Sequence, residues 1–109
     1  MKNEIYRLLR QMGMTENYVG FFYIVDAVCM AIEDPQRLCL VTKLIYLDVA
    51  KKNNTTPEAV ERGIRLAISR MWKETPNTVA RLSPVPLGKR PTNTKFLALL
   101  TEHAQDVES

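Results

Sequence analysis

Two arginines, Arg62 and Arg65, lie close to the start of a strongly patterned helical segment. At about 100° per residue, they share one face with Glu58 and Ser69, opposite an apolar face. The planar guanidinium of arginine can bind O6 and N7 of guanine together, which is the commonest base-specific contact to DNA. The spacing places both arginines together on one face, and one interpretation is that they read bases. The alternative is that they are solvated surface charges, paired with nearby glutamates at helical spacing. The apolar face comprises Val60, Ile64, Ala67, Ile68 and Met71.

The start of this helix is specified in two ways. Thr55 and Glu58 fit a capping box, whereas Thr56 as the cap would place Pro57 at the first helical position, where its missing N–H costs nothing. Just upstream lies a short apolar-patterned segment, residues 47–52, followed by a turn of two asparagines. A short helix, a tight polar turn and a capped second helix are the layout of a helix-turn-helix. The second helix of that motif reads DNA with residues near its N-terminus.

Other residues around this layout could position the protein on the DNA backbone. Basic side chains and helix N-termini contact phosphate without reading sequence. Each basic residue among them could equally be an ordinary surface charge. These positioning candidates flank the second helix or share its polar face, and they are Lys43, Lys51, Lys52, Thr55, Thr56, Glu58, Ser69, Lys89 and Arg90.

The whole chain has the composition of an ordinary globular protein. Its 109 residues are 46% hydrophobic and 25% charged, with a formal net charge of +3, which is compatible with phosphate binding. We expect a single domain, residues 1–109, with one core. No signal peptide is visible, and the most apolar run, residues 21–32, contains Asp26 and is too short to cross a bilayer. We therefore expect a cytoplasmic protein associated with the bacterial nucleoid, not with a membrane.

Metal, cofactor and enzyme chemistry find little support in the sequence. Cys29 and Cys39 lie among apolar residues, so we expect two reduced core thiols, and with the single histidine, His103, they make no zinc set. Asp34 is explained as a helix cap, and Asp26 has no catalytic partner. We expect no enzyme activity, no cofactor and no metal. The larger aromatic residues, which we expect in or at the edge of the core, are Tyr18, Tyr23, Tyr46 and Trp72.

The elements that must support the motif all read as helices. Residues 3–12 form an amphipathic helix that Gly13 can end, and residues 17–33 form an apolar helix that we expect to be the most buried. A strand is the competing interpretation of residues 18–25. Asp34 and Pro35 open a third helix that includes Leu38, Leu40, Val41, Leu44 and Ile45.

The remainder of the chain is less regular. Residues 46–52 either continue the third helix or form a separate one. Residues 73–91 read as a long proline-containing loop, with one helical turn at residues 78–82. Pro91-Thr92-Asn93 leads into a last helix, whose polar tail from Asp106 is expected to fray. The fold class is therefore all-α, a compact bundle of five or six helices containing the helix-turn-helix.

The same residues carry a family resemblance that covers most of the chain, back to about Met12. They resemble the C-terminal DNA-binding effector domain of the stage 0 sporulation master response regulator of endospore-forming bacteria. The matching residues are Lys43-Leu44-Ile45-Tyr46-Leu47-Asp48-Val49-Ala50-Lys51-Lys52-Asn53-Asn54-Thr55-Thr56, Val60-Glu61-Arg62-Gly63-Ile64-Arg65, Ala67-Ile68, Trp72 and Pro91-Thr92-Asn93-x-x-Phe96.

The resemblance implies a six-helix domain whose helix from Thr56 lies in the major groove of double-stranded DNA. It implies that Glu61, Arg62 and Arg65 contact base edges and neighbouring phosphates. A glutamate there can accept from cytosine N4 or orient an arginine. It also implies tandem DNA boxes bound by adjacent effector domains, hence self-association on DNA, and RNA polymerase as a further partner. In the full-length family member a receiver domain precedes the effector.

Three departures from the family pattern bear on function. Ala59 stands where the family has a DNA-reading arginine, and Leu47 replaces a proline. The segment 73–90 is shorter than, and different from, the one that the family uses on RNA polymerase. No receiver domain lies in these residues, so the chain is either an excised domain or a stand-alone protein. The departures leave a second hypothesis open, a helical protein–protein interaction module without productive DNA reading.

Overall fold

The computed structural model describes residues 2–80, 83 and 87–108 of the chain. Within these residues the structure is all-α, as predicted, and contains no strand, so the strand interpretation of residues 18–25 is wrong. A 3-10 helix, Pro35–Leu40, and a π-helical turn, Thr42–Tyr46, connect the second α-helix to the third. The α-helices are α1 (Lys2–Gln11), α2 (Phe21–Glu33), α3 (Leu47–Lys52), α4 (Pro57–Glu74), α5 (Pro76–Ala80) and α6 (Asn93–Glu108).

Helix α1 ends at a glycine, as its sequence predicts. Gly13 has a φ of 91°, its N–H donates to the Arg10 carbonyl at 3.0 Å, and the Met14 N–H donates to the Leu9 carbonyl at 2.9 Å. This is the Schellman arrangement, in which a left-handed residue satisfies the last carbonyls of the helix. The chain then turns towards α2.

Helix α2 is the centre of the core. It starts later than predicted, and it is not buried on every side. Turns occupy residues 15–20, where the Tyr18 N–H donates to the Thr15 carbonyl at 3.0 Å. Val19, just before α2, and Phe22 are exposed, although the Phe22 ring contacts Tyr6 of α1 edge to face. The buried residues of α2 are Phe21, Ile24, Val25, Asp26, Ala27, Val28 and Ala31.

The predicted third helix forms as three different helical types. Asp34 caps its start, accepting from the Gln36 N–H at 3.2 Å. Arg37 then donates through Nη1 to the Leu44 carbonyl and to Asp48 Oδ2, both at 2.8 Å. A side chain that takes a carbonyl in this way perturbs the regular ladder, and widened turns occur at such places. The helical backbone is nonetheless continuous from residue 41 to 52, so α3 continues the π turn without a break.

The segment after α4 is more helical than predicted. Helix α4 reaches Glu74, and α5 follows at once because Pro76 suits a first helical position. The helical turn expected at residues 78–82 therefore begins at Pro76, and residues 81 and 82 lie outside the described part. Thr92 begins α6 by accepting from the Lys95 N–H at 3.1 Å. The α6 backbone is helical to Glu108, beyond the point where fraying was expected.

Helices α2 and α4 cross at unusually close range, and two glycines permit it. A Cβ on Gly20 would lie 2.2 Å from the Gly63 carbonyl oxygen, so a side chain there would clash with the α4 backbone. This contact anchors α4 against the core helix. On the opposite side α6 packs against both helices, burying Phe96, Leu97 and Leu100.

The two cysteines differ in their surroundings. Both are free thiols, but Cys39 is exposed on the 3-10 helix and only Cys29 is partly buried, so the expectation of two core thiols is wrong for Cys39. Burial raises the pKa of the Cys29 thiol. Among the described residues, no helix is both long and apolar enough to span a bilayer.

Candidate nucleic-acid interface

The turn between α3 and α4 is tight and is closed by backbone hydrogen bonds. Asn54 adopts a left-handed φ of 52°, which asparagine tolerates better than most residues. The Thr55 N–H donates to the Ala50 carbonyl at 2.9 Å and the Asn54 N–H to the Lys51 carbonyl at 3.4 Å. These bonds close α3 with a second Schellman motif and redirect the chain into α4.

Thr56 is the N-cap of α4, which decides between the two predicted caps. The Thr56 Oγ1 accepts from the Ala59 N–H at 3.1 Å, and Pro57 occupies the first helical position. The predicted apolar face is buried, together with Gly63. The polar face, with Arg62 and Arg65, is exposed. The arginines are therefore presented on a helix whose position is fixed by its buried side.

A buried carboxylate ties the turn to the core helix, and sequence reasoning missed it. Asp26 of α2 accepts from Lys52 Nζ at 3.0 Å and from Asn53 Nδ2 at 2.9 Å. The same Asn53 amide donates to the Val49 carbonyl at 2.8 Å. The only signal in the sequence was an aspartate in an otherwise apolar run, which indicates a polar partner because buried charges are rarely unpaired.

A second unpredicted contact fixes α4 from the other side. Asn93, the first residue of α6, donates through Nδ2 to the Tyr46 hydroxyl and to the Glu61 carbonyl, both at 3.1 Å. Tyr46 is buried, and burial raises the pKa of its hydroxyl. One amide therefore joins the π turn, α4 and α6, directly behind the predicted readers.

The exposed face of α4 is flanked by two grooves of different chemistry. On the α2 side, Arg62 and Glu58 border what we call the apolar groove, about 520 Å³, lined by Val19, Tyr23, Ala59, Gly63 and Leu66. On the α6 side, Glu61 and Arg65 line what we call the polar groove, about 310 Å³. Its remaining lining residues are Thr42, Tyr46, Arg90, Pro91, Thr92, Asn93 and Thr94.

The two arginines differ in their partners. Arg65 donates through Nε to Glu61 Oε1 at 3.1 Å, one helical turn earlier. Arg62 forms no ion pair with any residue in the described part of the chain, although Glu58 lies one turn away. Arg62 thus offers its whole guanidinium to a ligand, whereas Arg65 is oriented by a carboxylate and keeps its two terminal NH₂ groups available.

The predicted positioning residues do not all lie together. Arg90 lines the polar groove beside Arg65, and Lys43 and Lys51 are exposed on the run that leads to the turn. Lys52 is exposed, but its ammonium is bound to the Asp26 carboxylate, and this contact raises the pKa of Lys52. Lys52 therefore already has an anionic partner within the protein. The others, Thr55, Thr56, Glu58, Ser69 and Lys89, are exposed or half-exposed.

The aromatic residues lie in or at the edge of the core, as expected. Tyr18 is buried, and its hydroxyl donates to Glu74 Oε2 at 2.9 Å, while the Arg70 guanidinium lies over its ring at 4.0 Å. Burial and the neighbouring Glu74 raise the pKa of Tyr18. Trp72 and Tyr23 are partly buried against the core.

Metal chemistry has no visible support in the described residues. No group of three or more histidine, cysteine, aspartate or glutamate side chains there could hold a metal ion, and His103 is exposed on α6. The arrangement around α4 is one of hydrogen-bond donors and cations on a rigid helix, which suits recognition of an anionic, polar surface.

Comparison with known protein families finds a match over most of the chain. A family model described as sporulation initiation factor Spo0A C terminal matches residues 5–104. The match covers the helix-turn-helix, the Asp26 contact and the start of α6. That family is one of DNA-binding transcription factors of sporulation, and it is not a family of enzymes.

Proposed function

We propose that this chain, which belongs to the family of sporulation initiation factor Spo0A C-terminal domains, is a sequence-specific regulator that inserts α4 into the major groove of double-stranded DNA. The observation that carries the proposal is the pair of arginines on the exposed face of a helix whose turn, cap and buried side are all fixed. Residues near the N-terminus of the second helix are those that reach base edges in this motif.

Arg62, Arg65 and Glu61 are the proposed base readers. Arg62 can bind a guanine bidentately without first breaking an ion pair. Arg65 can do so with its terminal NH₂ groups, because Glu61 engages only Nε. Glu61 thus acts by orienting Arg65, or by accepting from a cytosine N4 amine.

The DNA backbone is contacted on both sides of α4 in this proposal. Arg90 contacts phosphate from the polar groove, with its neighbour Lys89 beside it, and Lys43 and Lys51 contact phosphate from the run that leads to the turn. Thr55 and Thr56 offer the N-terminus of α4 to a phosphate. Lys52, Glu58 and Ser69 complete the set, with Lys52 the weakest because Asp26 already holds it.

The further partners are proposed from the family to which the chain belongs. DNA-bound copies on tandem boxes would lie side by side and self-associate, and the regulator would act in the bacterial cytoplasm at the nucleoid. RNA polymerase is the further proposed partner, reached through the segment after α4. Regulation would then depend on which box the protein occupies.

Binding-site selection from a random duplex library tests the proposal. We expect a short enriched box containing guanine, bound tightly at physiological salt, with affinity falling steeply as salt rises because neutralised phosphates release counterions. Replacing Lys51 by alanine should reduce the salt slope by about one unit, whereas Lys73→Ala, at the far end of α4, should leave it unchanged. If the selection enriches no sequence, the proposal is overturned.

A second function is favoured by one observation, the exposed apolar residues of the first half of the motif. Leu40 at the end of the 3-10 helix, Leu44 on the π turn and Leu47 at the start of α3 are all exposed, and they could dock a partner protein. In that case the fold would serve as a protein–protein interaction module. If no shifted band appears in a gel-shift assay with tandem sporulation-type boxes at micromolar protein, this function is favoured over DNA reading.

A further inference from the structure

The apolar groove beside Arg62 is unusual for a surface that faces DNA. Val19 is 74% exposed and Leu66 is 46% exposed, although neither is needed to complete the core. The close approach of Gly20 and Gly63 brings the α2 entrance against α4, so Val19 and Leu66 line the same groove. Two exposed apolar side chains that line one groove can contact an apolar group of a ligand.

The position of the groove restricts what can fill it. It shares Arg62 with the proposed base-reading face, and small side chains, Ala59 and Gly63, form its floor. Leu66 lies one helical turn after Arg62, about 6 Å along the axis, whereas successive base pairs are about 3.4 Å apart. A guanine held by Arg62 would therefore place a base pair one or two steps away over the groove.

The major groove of DNA carries a single apolar group, the 5-methyl group of thymine. We infer that the apolar groove, through Leu66 and Val19, reads the methyl group of a thymine one or two base pairs from the guanine bound by Arg62. The inference rests on the proposed function and extends it, because it assigns specificity to residues that carry neither charge nor hydrogen-bonding side chains.

The test uses the duplex obtained by binding-site selection. Replacing the thymine nearest the Arg62-dependent guanine with deoxyuridine removes one methyl group and changes no hydrogen bond. We expect about four-fold weaker binding by the wild-type protein, the loss that corresponds to one buried methyl-sized group. Leu66→Ala and Val19→Ser should each bind the two duplexes nearly equally. Deoxyuridine at a thymine outside the box, and the variant Leu44→Ala on the π turn, are the controls.

Each other outcome overturns the inference, and the outcomes separate it from the proposed function. If selection yields no box, the proposed function fails and the inference fails with it. If a box is selected and deoxyuridine changes nothing, or Leu66→Ala and Val19→Ser keep the full methyl effect, only the inference fails. If sedimentation without DNA reveals self-association that Leu66→Ala and Val19→Ser abolish, the groove is an interface between copies. Melting curves for each variant establish that it is folded.

Discussion

At the scale of single residues, the sequence predicted which side chains are exposed but not which of them form ion pairs. Helical periodicity placed Arg62 and Arg65 on the face opposite the apolar residues, and the structure has them exposed. The same periodicity allowed Glu58 to pair with Arg62 as readily as Glu61 with Arg65, yet only the second pair forms. Rotamer choice depends on neighbours from other elements, so an i, i+4 spacing permits an ion pair without requiring it.

The same limit applies to residues that act across the fold. Asp26 and Lys52 are 26 positions apart, and Asn93 is 32 positions from Glu61. Their contacts depend on how helices pack, which periodicity within one helix does not describe. Lys52 was accordingly predicted as a phosphate contact, whereas the structure also gives it a partner inside the protein.

Acid stability should depend in part on Glu74. Hydrogen bonds from Tyr18 and Arg70 hold the pKa of this carboxyl below its ordinary value of 4.5. Its stabilising contribution is therefore complete above pH 4.5 and is lost as the pH falls through the lowered pKa. We expect Glu74→Gln to lower Tm at pH 7 and to approach the wild-type Tm in acid. Glu102→Gln, an exposed position on α6, is the control, and an equal Tm difference at all pH values would contradict the assignment.

At the scale of elements, helix starts and stops were predicted where a specific residue type is required. Gly13 and Asn54 have positive φ at helix ends. Helix starts are capped through side-chain oxygens by Asp34, Thr56 and Thr92. The type of helix at residues 35–46 was not predicted. Arg37 makes side-chain contacts with Leu44 and Asp48 in this stretch, and the spacing of apolar residues does not predict such contacts.

The cap of α4 gives a direct comparison of two adjacent threonines. Thr56→Ala removes the acceptor of the Ala59 N–H and should destabilise the protein by about 1 kcal/mol. Thr55→Ala removes no capping bond and should cost less than about 0.5 kcal/mol. Urea unfolding measures both. Equal losses, or a larger loss for Thr55→Ala, would contradict Thr56 as the cap.

The crossing of α2 and α4 is the contact most sensitive to a single methyl group. Gly20→Ala would place a Cβ against the Gly63 backbone and should destabilise the protein by about 3 kcal/mol, near the upper end of overpacking effects. A Cβ on Gly88 meets nothing within 4 Å, so Gly88→Ala should change stability by less than about 0.5 kcal/mol. Thermal unfolding of both variants is the measurement, and a neutral Gly20→Ala would show that the helices do not pack this closely.

At the scale of the whole molecule, the helix-turn-helix is held on three sides. Gly20 and Gly63 set its distance from α2, Asp26 ties its turn to the same helix, and Asn93 joins α4 to α6. The all-α class and the motif were predictable, because each element has a clear period or cap. The way in which α6 and α2 clamp the motif was not, since it rests on contacts between distant parts of the chain.

The clamped motif leaves α4 exposed between two grooves of unlike chemistry. An apolar side with Leu66 and a polar side with Arg90 flank the arginines, so the surface as a whole is asymmetric across the helix. An asymmetric reading surface can distinguish the two directions along a DNA box. This property suits a regulator whose copies would lie in one orientation on tandem boxes.

Equilibrium binding of arginine variants to a selected duplex and to a scrambled one tests base reading by α4 most directly. We predict that Arg62→Ala and Arg65→Ala each lose about 1–3 kcal/mol on the selected duplex, a five- to 150-fold weaker Kd, and far less on the scrambled duplex. Arg7→Ala, which removes an exposed arginine of α1, should behave as wild type on both. Equal losses on the two duplexes would instead make the arginines phosphate contacts and would contradict base reading by α4.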